Sequence, residues 1–167
     1  APTIIFYMDA PGIREELRDM CRRILNHGYN VILPNLFYRV GTEGNYPFSQ
    51  LLYKKSKEEL NNMINTMNCT TNKMIISDTK YIINYINNNF KIRNGIGIVG
   101  YCMSGRFVVS CGAYFANKIS AIASFYGVGI LTESKDSPHL FANKIQGDLH
   151  LAFAEKDIWV SKKTLGK

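Results

Sequence analysis

A cysteine in a turn of small residues is the side chain of this sequence best suited to covalent chemistry. Cys102 lies in residues 100–105, which read Gly-Tyr-Cys-Met-Ser-Gly. Residues 95–99 before it predict a buried strand, and residues 103–117 after it predict an amphipathic helix. Small residues around a nucleophile allow the sharp strand-to-helix turn known as a nucleophile elbow. We therefore predict that Cys102 is a nucleophile held above a β-sheet.

Backbone groups next to such an elbow can stabilise negative charge. The helix N-terminus is expected to lower the pKa of the Cys102 thiol. The N–H of Met103 would point into the same space and could bind an oxyanion. The N–H of Ala10, in the loop after the first strand, is the expected second donor. This chemistry is acyl transfer through a covalent intermediate.

Two alternatives remain for the elbow. Cys102 could be a buried structural cysteine, because free cysteines are commonly buried. Ser104 could instead be the nucleophile, although residue 102, two positions before it, is not glycine.

Two acidic residues follow predicted strands and could serve the nucleophile. Asp157 follows the strand predicted at residues 147–154, where the third member of a triad would orient a histidine. It could equally be a solvated loop residue. Asp9 follows the first strand and could contact the nucleophile or cap the helix that begins near Arg14, and the local sequence favours capping.

A histidine base is the missing part of this constellation. In an α/β-hydrolase the chain order is nucleophile, acid, histidine, and the ten residues after Asp157 contain no histidine. His27 ends a predicted helix on the far side from the strand tips. His150 lies inside a strand between two leucines and is expected to be packed there. His139, in a loop before the acid, is the least unsuitable of the three.

The elements that must position these residues alternate between strands and helices. Strands are predicted at residues 3–8, 31–33, 95–99, 121–125 and 147–154, and helices at 14–26, 57–67, 73–89, 103–117 and from about 161. This order predicts an α/β fold with a mostly parallel sheet covered by helices on both faces. Residues 1–167 contain no linker or repeat, so we expect a single domain.

Composition narrows the function classes. The net charge is +7, but the 20 Lys and Arg residues are scattered, which does not favour nucleic-acid binding. No apolar run reaches the length of a membrane span. The four cysteines form no Cys-x-x-Cys pair and the three histidines lie far apart in the sequence, so a zinc site is not expected. Cysteines in apolar patterns indicate a reducing, cytoplasmic location.

Four stretches of the sequence resemble the dienelactone hydrolase family. Residues 8–20 correspond to the first loop and helix, and residues 28–39 to the second strand with its loop. Residues 97–105 correspond to the elbow, and residues 124–129 to the end of the next strand. In the elbow the family usually has Gly-Gly where this chain has Ser104 and Gly105. The likeness is spread over most of the chain.

The resemblance implies an α/β-hydrolase fold that uses a Cys-Asp-His triad on a small ester or lactone, with no metal or cofactor. It assigns Cys102 as the nucleophile, Asp157 as the acid, and the backbone of Ala10 and Met103 as the oxyanion hole. It places Asp9 where the namesake enzymes carry a glutamate that contacts the thiol.

The family also implies a chain that is longer at both ends, with the triad histidine outside these 167 residues and little turnover without it. A non-catalytic relative that binds a small molecule or a protein partner is the alternative. A thiol redox protein is a weaker one, because Cys111, nine residues from Cys102, is too far along the predicted helix to resolve it.

Overall fold

The computed structural model describes residues 1–90 and 95–160 and contains a five-stranded, fully parallel sheet in the order β2-β1-β3-β4-β5. The strands are β1 (Thr3–Tyr7), β2 (Asn30–Ile32), β3 (Ile96–Tyr101), β4 (Ile119–Phe125) and β5 (Asp148–Ala152). The α-helices are α1 (Glu15–Asn26), α2 (Lys57–Cys69), α3 (Asn72–Asn89) and α4 (Gly105–Tyr114). The predicted α/β class and parallel sheet are confirmed.

Helices cover both faces of the sheet, and alternate strand residues show which helix covers which face. Tyr7 of β1 contacts Thr79 of α3 and Cys111 of α4. Tyr101 projects from the opposite face, because its neighbour Gly100 is the β3 partner of Tyr7. Cys21 of α1 lies close enough to Tyr101 to affect its pKa. The centre of the sheet is therefore enclosed between α1 on one side and α3 with α4 on the other.

Polar side chains define the starts of the two long helices. The Ser56 hydroxyl accepts the Glu59 N–H at the start of α2, and the Thr71 hydroxyl accepts the Met74 N–H at the start of α3. These contacts satisfy backbone donors that the first turn of a helix leaves free. Both helices begin within one residue of the predicted positions.

The helix predicted at residues 103–117 differs from the structure at both ends. A 3-10 turn, Cys102–Ser104, comes first, and the α-helix begins only at Gly105 and ends at Tyr114. Cys102 has a left-handed φ of 51°, so the α-helical hydrogen-bond pattern cannot begin at once. A second 3-10 segment, Pro138–Lys144, was not predicted. The helix predicted from residue 161 lies outside the described residues.

Strand β5 is much more exposed than the other strands. Within the described residues it pairs only with β4, and Leu149 and Leu151 are each 38% exposed. The prediction that His150 is packed inside its strand is wrong, since its side chain is exposed on this edge strand. No helix in the described part of the chain is long and apolar enough to cross a membrane.

Candidate active site

The carboxyl ends of four strands meet at one edge of the sheet and bring the predicted site residues together. Strand pairing aligns Tyr7 with Gly100, Tyr101 with Phe125, and Phe125 with Ala152. The segments that follow these strands therefore emerge side by side. They carry Asp9 with Ala10, Cys102 with Met103, Tyr126, and the loop that contains Asp157. This edge is where open α/β sheets place their ligand sites.

The turn at Cys102 has the backbone geometry of a nucleophile elbow. Cys102 is half-buried and adopts a left-handed φ, which is uncommon for any residue other than glycine. The helix that follows approaches its surroundings so closely that a Cβ on Gly105 would lie 2.7 Å from the Ser124 hydroxyl. The N–H of Val128 donates to the Cys102 carbonyl at 3.0 Å. The turn is thus held by the segment after β4.

Ser104 joins the elbow to the loop that follows β1. Its side chain is fully buried, and its hydroxyl donates to the backbone carbonyl of Met8. That hydroxyl is consequently engaged in a structural contact away from solvent. This geometry argues against Ser104 as the nucleophile and gives it a part in spacing the two loops.

Two backbone N–H groups lie close enough to the Cys102 thiol to lower its pKa. They belong to Met103 and Ala10, the two residues predicted as oxyanion donors. One donor comes from the elbow and the other from the loop after β1. An oxygen bonded to a carbon attached to this sulfur would lie within reach of the same two groups.

The net pKa shift of Cys102 is opposite to the one expected from the helix N-terminus. Burial raises the pKa of the thiol above its usual value and outweighs the two backbone hydrogen bonds. The negative charges of Asp9 and Asp157 raise it further. Because α4 begins only at Gly105, its dipole acts from beyond the 3-10 turn. In this arrangement Cys102 rests as a thiol, and a base would have to remove its proton before it could act as a nucleophile.

Asp9 pairs with Arg14 and does not cap α1. The two Asp9 carboxylate oxygens accept hydrogen bonds from the Arg14 guanidinium at 2.5 and 2.9 Å. The residue at the N-cap is Arg14 itself, and no side chain caps this helix. Gly12, with a φ of 82°, turns the chain back so that the two side chains meet. The capping favoured by the sequence is wrong, because an ion pair within the same loop engages the carboxylate.

Asp157 lies in the loop after β5, as predicted. It is half-buried, and one carboxylate oxygen accepts the Trp159 N–H at 2.8 Å. The negative charge of Asp157 raises the pKa of the Cys102 thiol. A carboxylate can accept several hydrogen bonds, so Asp157 retains capacity to accept one from an imidazole.

The three histidines occupy other positions. His27 follows the last residue of α1, just before β2 begins, and so lies toward the amino ends of the strands. The His139 ring contacts the Ser137 hydroxyl at 2.8 Å. The His150 ring packs against Phe125 with the ring centroids 5.6 Å apart. None is positioned by the strand ends in the way that Asp157 is.

Sequence reasoning missed two residues at this edge. One is Arg14, for which the signal is local: an arginine five residues after an aspartate, across a glycine turn, can fold back onto it. Tyr126 follows β4 with a left-handed φ of 55° and a side chain that is 54% exposed. A tyrosine held in this conformation beside the elbow is available to a ligand. Across residues 1–90 and 95–160, no group of three or more His, Cys, Asp and Glu side chains could hold a metal ion.

Comparison with known proteins gives a consistent result. The model of the dienelactone hydrolase family matches residues 1–167. A relative from Synechocystis sp. that is named carboxymethylenebutenolidase is 28% identical over 163 residues, which are 93% of this chain and 61% of the relative. The chain thus spans about three-fifths of that relative's length.

Solved structures show the same fold. A crystal structure named for a dienelactone hydrolase from Klebsiella pneumoniae superposes with a TM-score of 0.76 at 21% identity, covering 99% of this chain and 65% of that one. A dienelactone hydrolase-like promiscuous phosphotriesterase from metagenomic libraries superposes with a TM-score of 0.68 at 14% identity, covering 99% of this chain and 62% of that one.

Proposed function

Because this chain belongs to the dienelactone hydrolase family, we propose that it forms the nucleophile-bearing part of a hydrolase that cleaves small ester or lactone substrates. The observation that carries the proposal is the elbow itself: Cys102 follows β3 with a left-handed φ of 51°, and the backbone N–H groups of Ala10 and Met103 lower the pKa of its thiol. A structural cysteine does not require two backbone donors from separate loops. An acyl-transfer nucleophile does, because the oxyanion must be held where the sulfur attacks.

The proposed reaction proceeds through a thioester. The Cys102 thiolate attacks the carbonyl carbon, and the carbonyl oxygen becomes an oxyanion bound by the N–H groups of Ala10 and Met103. The oxyanion collapses, the C–O bond of the ester breaks, and the leaving alcohol takes up the proton that the thiol lost. Water then attacks the thioester, releasing the acid and restoring the thiol. No metal or cofactor takes part in these steps.

Asp157 is proposed to orient the histidine that moves this proton. The base is assigned to a histidine outside the 167 residues, since His27, His139 and His150 are placed elsewhere and the relatives matched are longer. Removing the base from a triad removes most of its rate, because triad members act as a unit. The 167-residue chain is therefore expected to acylate slowly and to turn over little.

Arg14 and Asp9 supply the charge next to the nucleophile. Their ion pair is mostly buried, with side chains 27% and 18% exposed. Because the Arg14 guanidinium is already occupied by Asp9, the resting site offers no free cation from this pair. We therefore favour an uncharged ester or lactone as the substrate.

Acylation with p-nitrophenyl acetate tests the proposal. The chain is expected to release about one equivalent of nitrophenolate slowly and then stop, with the acetyl group on the Cys102 peptide by mass spectrometry. Cys102→Ala should abolish this release of nitrophenolate. Cys69→Ala, which removes an exposed thiol, should leave the release unchanged. Equal labelling of the Cys102→Ala variant would remove Cys102 from the mechanism. Rapid, continuous turnover by the 167-residue chain would overturn the assignment of an external histidine.

A non-catalytic relative that binds a ligand in the same cleft is the second candidate. The raised pKa of Cys102 favours it, because a resting thiol without a base is a poor nucleophile. The full-length gene product that includes these residues separates the two proposals. Restored turnover that is lost on replacing a downstream histidine supports the enzyme, and absence of turnover in that full-length protein supports the binding protein.

A further inference from the structure

A groove on the helical side of the molecule contains none of the active-site residues. It has a volume of about 650 Å³ and lies between α3 and the 3-10 segment Pro138–Lys144, over α4. Ser110 and Ala113 of α4 and Ile76 of α3 form part of its lining. A groove of this volume is within the range of small-molecule sites, which is about 300–1,000 Å³.

The lining is predominantly apolar and includes two aromatic side chains that the fold leaves exposed. Phe141 is 37% exposed and Tyr114 is 68% exposed. Together with Ile76 they provide a surface that water solvates poorly. An apolar ligand body placed there would cover area that the folded chain itself leaves open.

Three lysines surround this apolar surface. Lys73 and Lys80 are seven residues apart on α3 and so lie on the same side of the helix, about 10 Å apart along its axis. Lys144 approaches from the 3-10 segment, with its ammonium 5.1 Å from the Phe141 ring centroid. None of the three pairs with a carboxylate within the described residues. Their charges therefore add in the groove.

One acidic side chain, Asp136, belongs to the lining, and its carboxylate accepts the Ser134 hydroxyl. The charged groups of the groove thus comprise three ammonium groups and one carboxylate. The N-terminus of α3, at Asn72, contributes partial positive charge at the same end. The groove is positive at its rim and apolar within.

We propose that this groove is a second binding site, which takes an organic carboxylate with an apolar body such as a medium-chain fatty acid. The apolar chain would lie over Ile76 and Phe141, and the carboxylate would lie among the ammonium groups of Lys73, Lys80 and Lys144. The occupant is a small molecule, because the site is a bounded groove. The site is separate from the proposed hydrolase chemistry: α4 carries Ser110 and Ala113 away from the elbow, one to two turns beyond Gly105.

Decanoate titration, followed by calorimetry and by backbone amide chemical shifts, tests this site. We expect saturable binding of one decanoate per chain, with the largest shifts at Ile76, Ala113 and Phe141. Decanol should bind at least tenfold more weakly, because it keeps the chain but not the charge. The variant Lys73→Gln/Lys80→Gln/Lys144→Gln should weaken decanoate binding at least tenfold.

A matched control separates the groove from the overall basic charge. The variant Lys54→Gln/Lys55→Gln/Lys57→Gln removes three exposed lysines before and at the start of α2, outside the groove. It should bind decanoate as the unmodified chain does. Equal loss in both triple variants, shifts centred on Cys102, or binding of polyglutamate in preference to decanoate would each overturn the proposal. The melting temperature of every variant establishes that binding is compared between folded chains.

Discussion

The hydroxyl of Ser104 donates to the backbone carbonyl of Met8 and thereby ties the elbow to the loop after β1. Met8 lies two residues before Ala10, and Ser104 follows Met103 directly. The bond therefore connects the backbone segments that carry the two donors to the Cys102 sulfur. Since both donors lower the pKa of this thiol, their spacing should be measurable through its titration.

Ser104→Ala is expected to raise the pKa of Cys102, because the two loops lose their shared hydrogen bond and the two backbone donors are held less firmly near the thiol. The measurement is the pH dependence of iodoacetamide alkylation of the Cys102 peptide, followed by mass spectrometry. Ser110→Ala, at a buried serine further along α4, is the matched control and should not shift the midpoint. An unchanged midpoint in a folded Ser104→Ala chain would show that the hydroxyl does not position the donors.

Asp9→Asn is expected to lower the pKa of Cys102. The charge of Asp9 raises that pKa, and the substitution also leaves the Arg14 guanidinium with Glu16 as its remaining carboxylate partner. Both changes favour the thiolate, so alkylation of Cys102 at neutral pH should become severalfold faster. The exposed Cys69 in the same chain serves as the internal control, since its alkylation rate should not change. Slower alkylation of Cys102 would contradict this electrostatic assignment.

Gly105→Ala is expected to destabilise the fold by about 3 kcal/mol, the upper end of the usual cost of overpacking, because its methyl group would meet the Gly127 backbone and the Ser124 hydroxyl. Gly28→Ala provides the comparison. Gly28 has a φ of 85° but nothing within 4 Å of an added Cβ, so only backbone strain of about 1 kcal/mol applies there. Urea unfolding measures both. Equal losses in the two variants would mean that the close approach at Gly105 is not tight.

Stability should fall steeply in alkaline solution because of the buried thiol of Cys111. Burial raises its pKa from 9.0 to about 11. Between these values the unfolded chain loses the proton and the folded chain keeps it, so the free energy of unfolding decreases as pH rises. One such group contributes a slope of about 1.4 kcal/mol per pH unit. Burial also raises the pKa of Cys21 to about 11, so Cys111→Ala should lessen this slope by the share of one thiol, and Cys69→Ala should not change it.

The sequence was sufficient to predict that the candidate site residues lie at one edge of the sheet, because this depends on local order along the chain. Cys102, Met103, Ala10 and Asp157 all follow strands, and parallel strands bring their carboxyl ends to one edge. It could not decide which of several partners within reach a side chain takes. The local sequence favours a helix cap for Asp9, whereas its partner in the structure is Arg14 across a glycine turn.

The same limit explains the differences in the fold. The 3-10 turn Cys102–Ser104 arises from the left-handed φ of Cys102. Cysteine rarely adopts this conformation, so its residue type does not predict the turn. The exposure of His150 depends on which strand lies at the edge of the sheet, and apolar alternation along β5 is equally compatible with an interior strand. Both features depend on contacts between residues that are far apart in the sequence.

The exposed strand β5 affects how solutions of this chain should behave. Its outer backbone groups have no strand neighbour within the described residues, and Leu149, Leu151 and Phe153 present apolar surface beside them. Such an edge can accept a strand from another molecule. We therefore expect the isolated chain to self-associate increasingly as its concentration rises. Light scattering across a dilution series should detect this association before the helical circular-dichroism signal decreases.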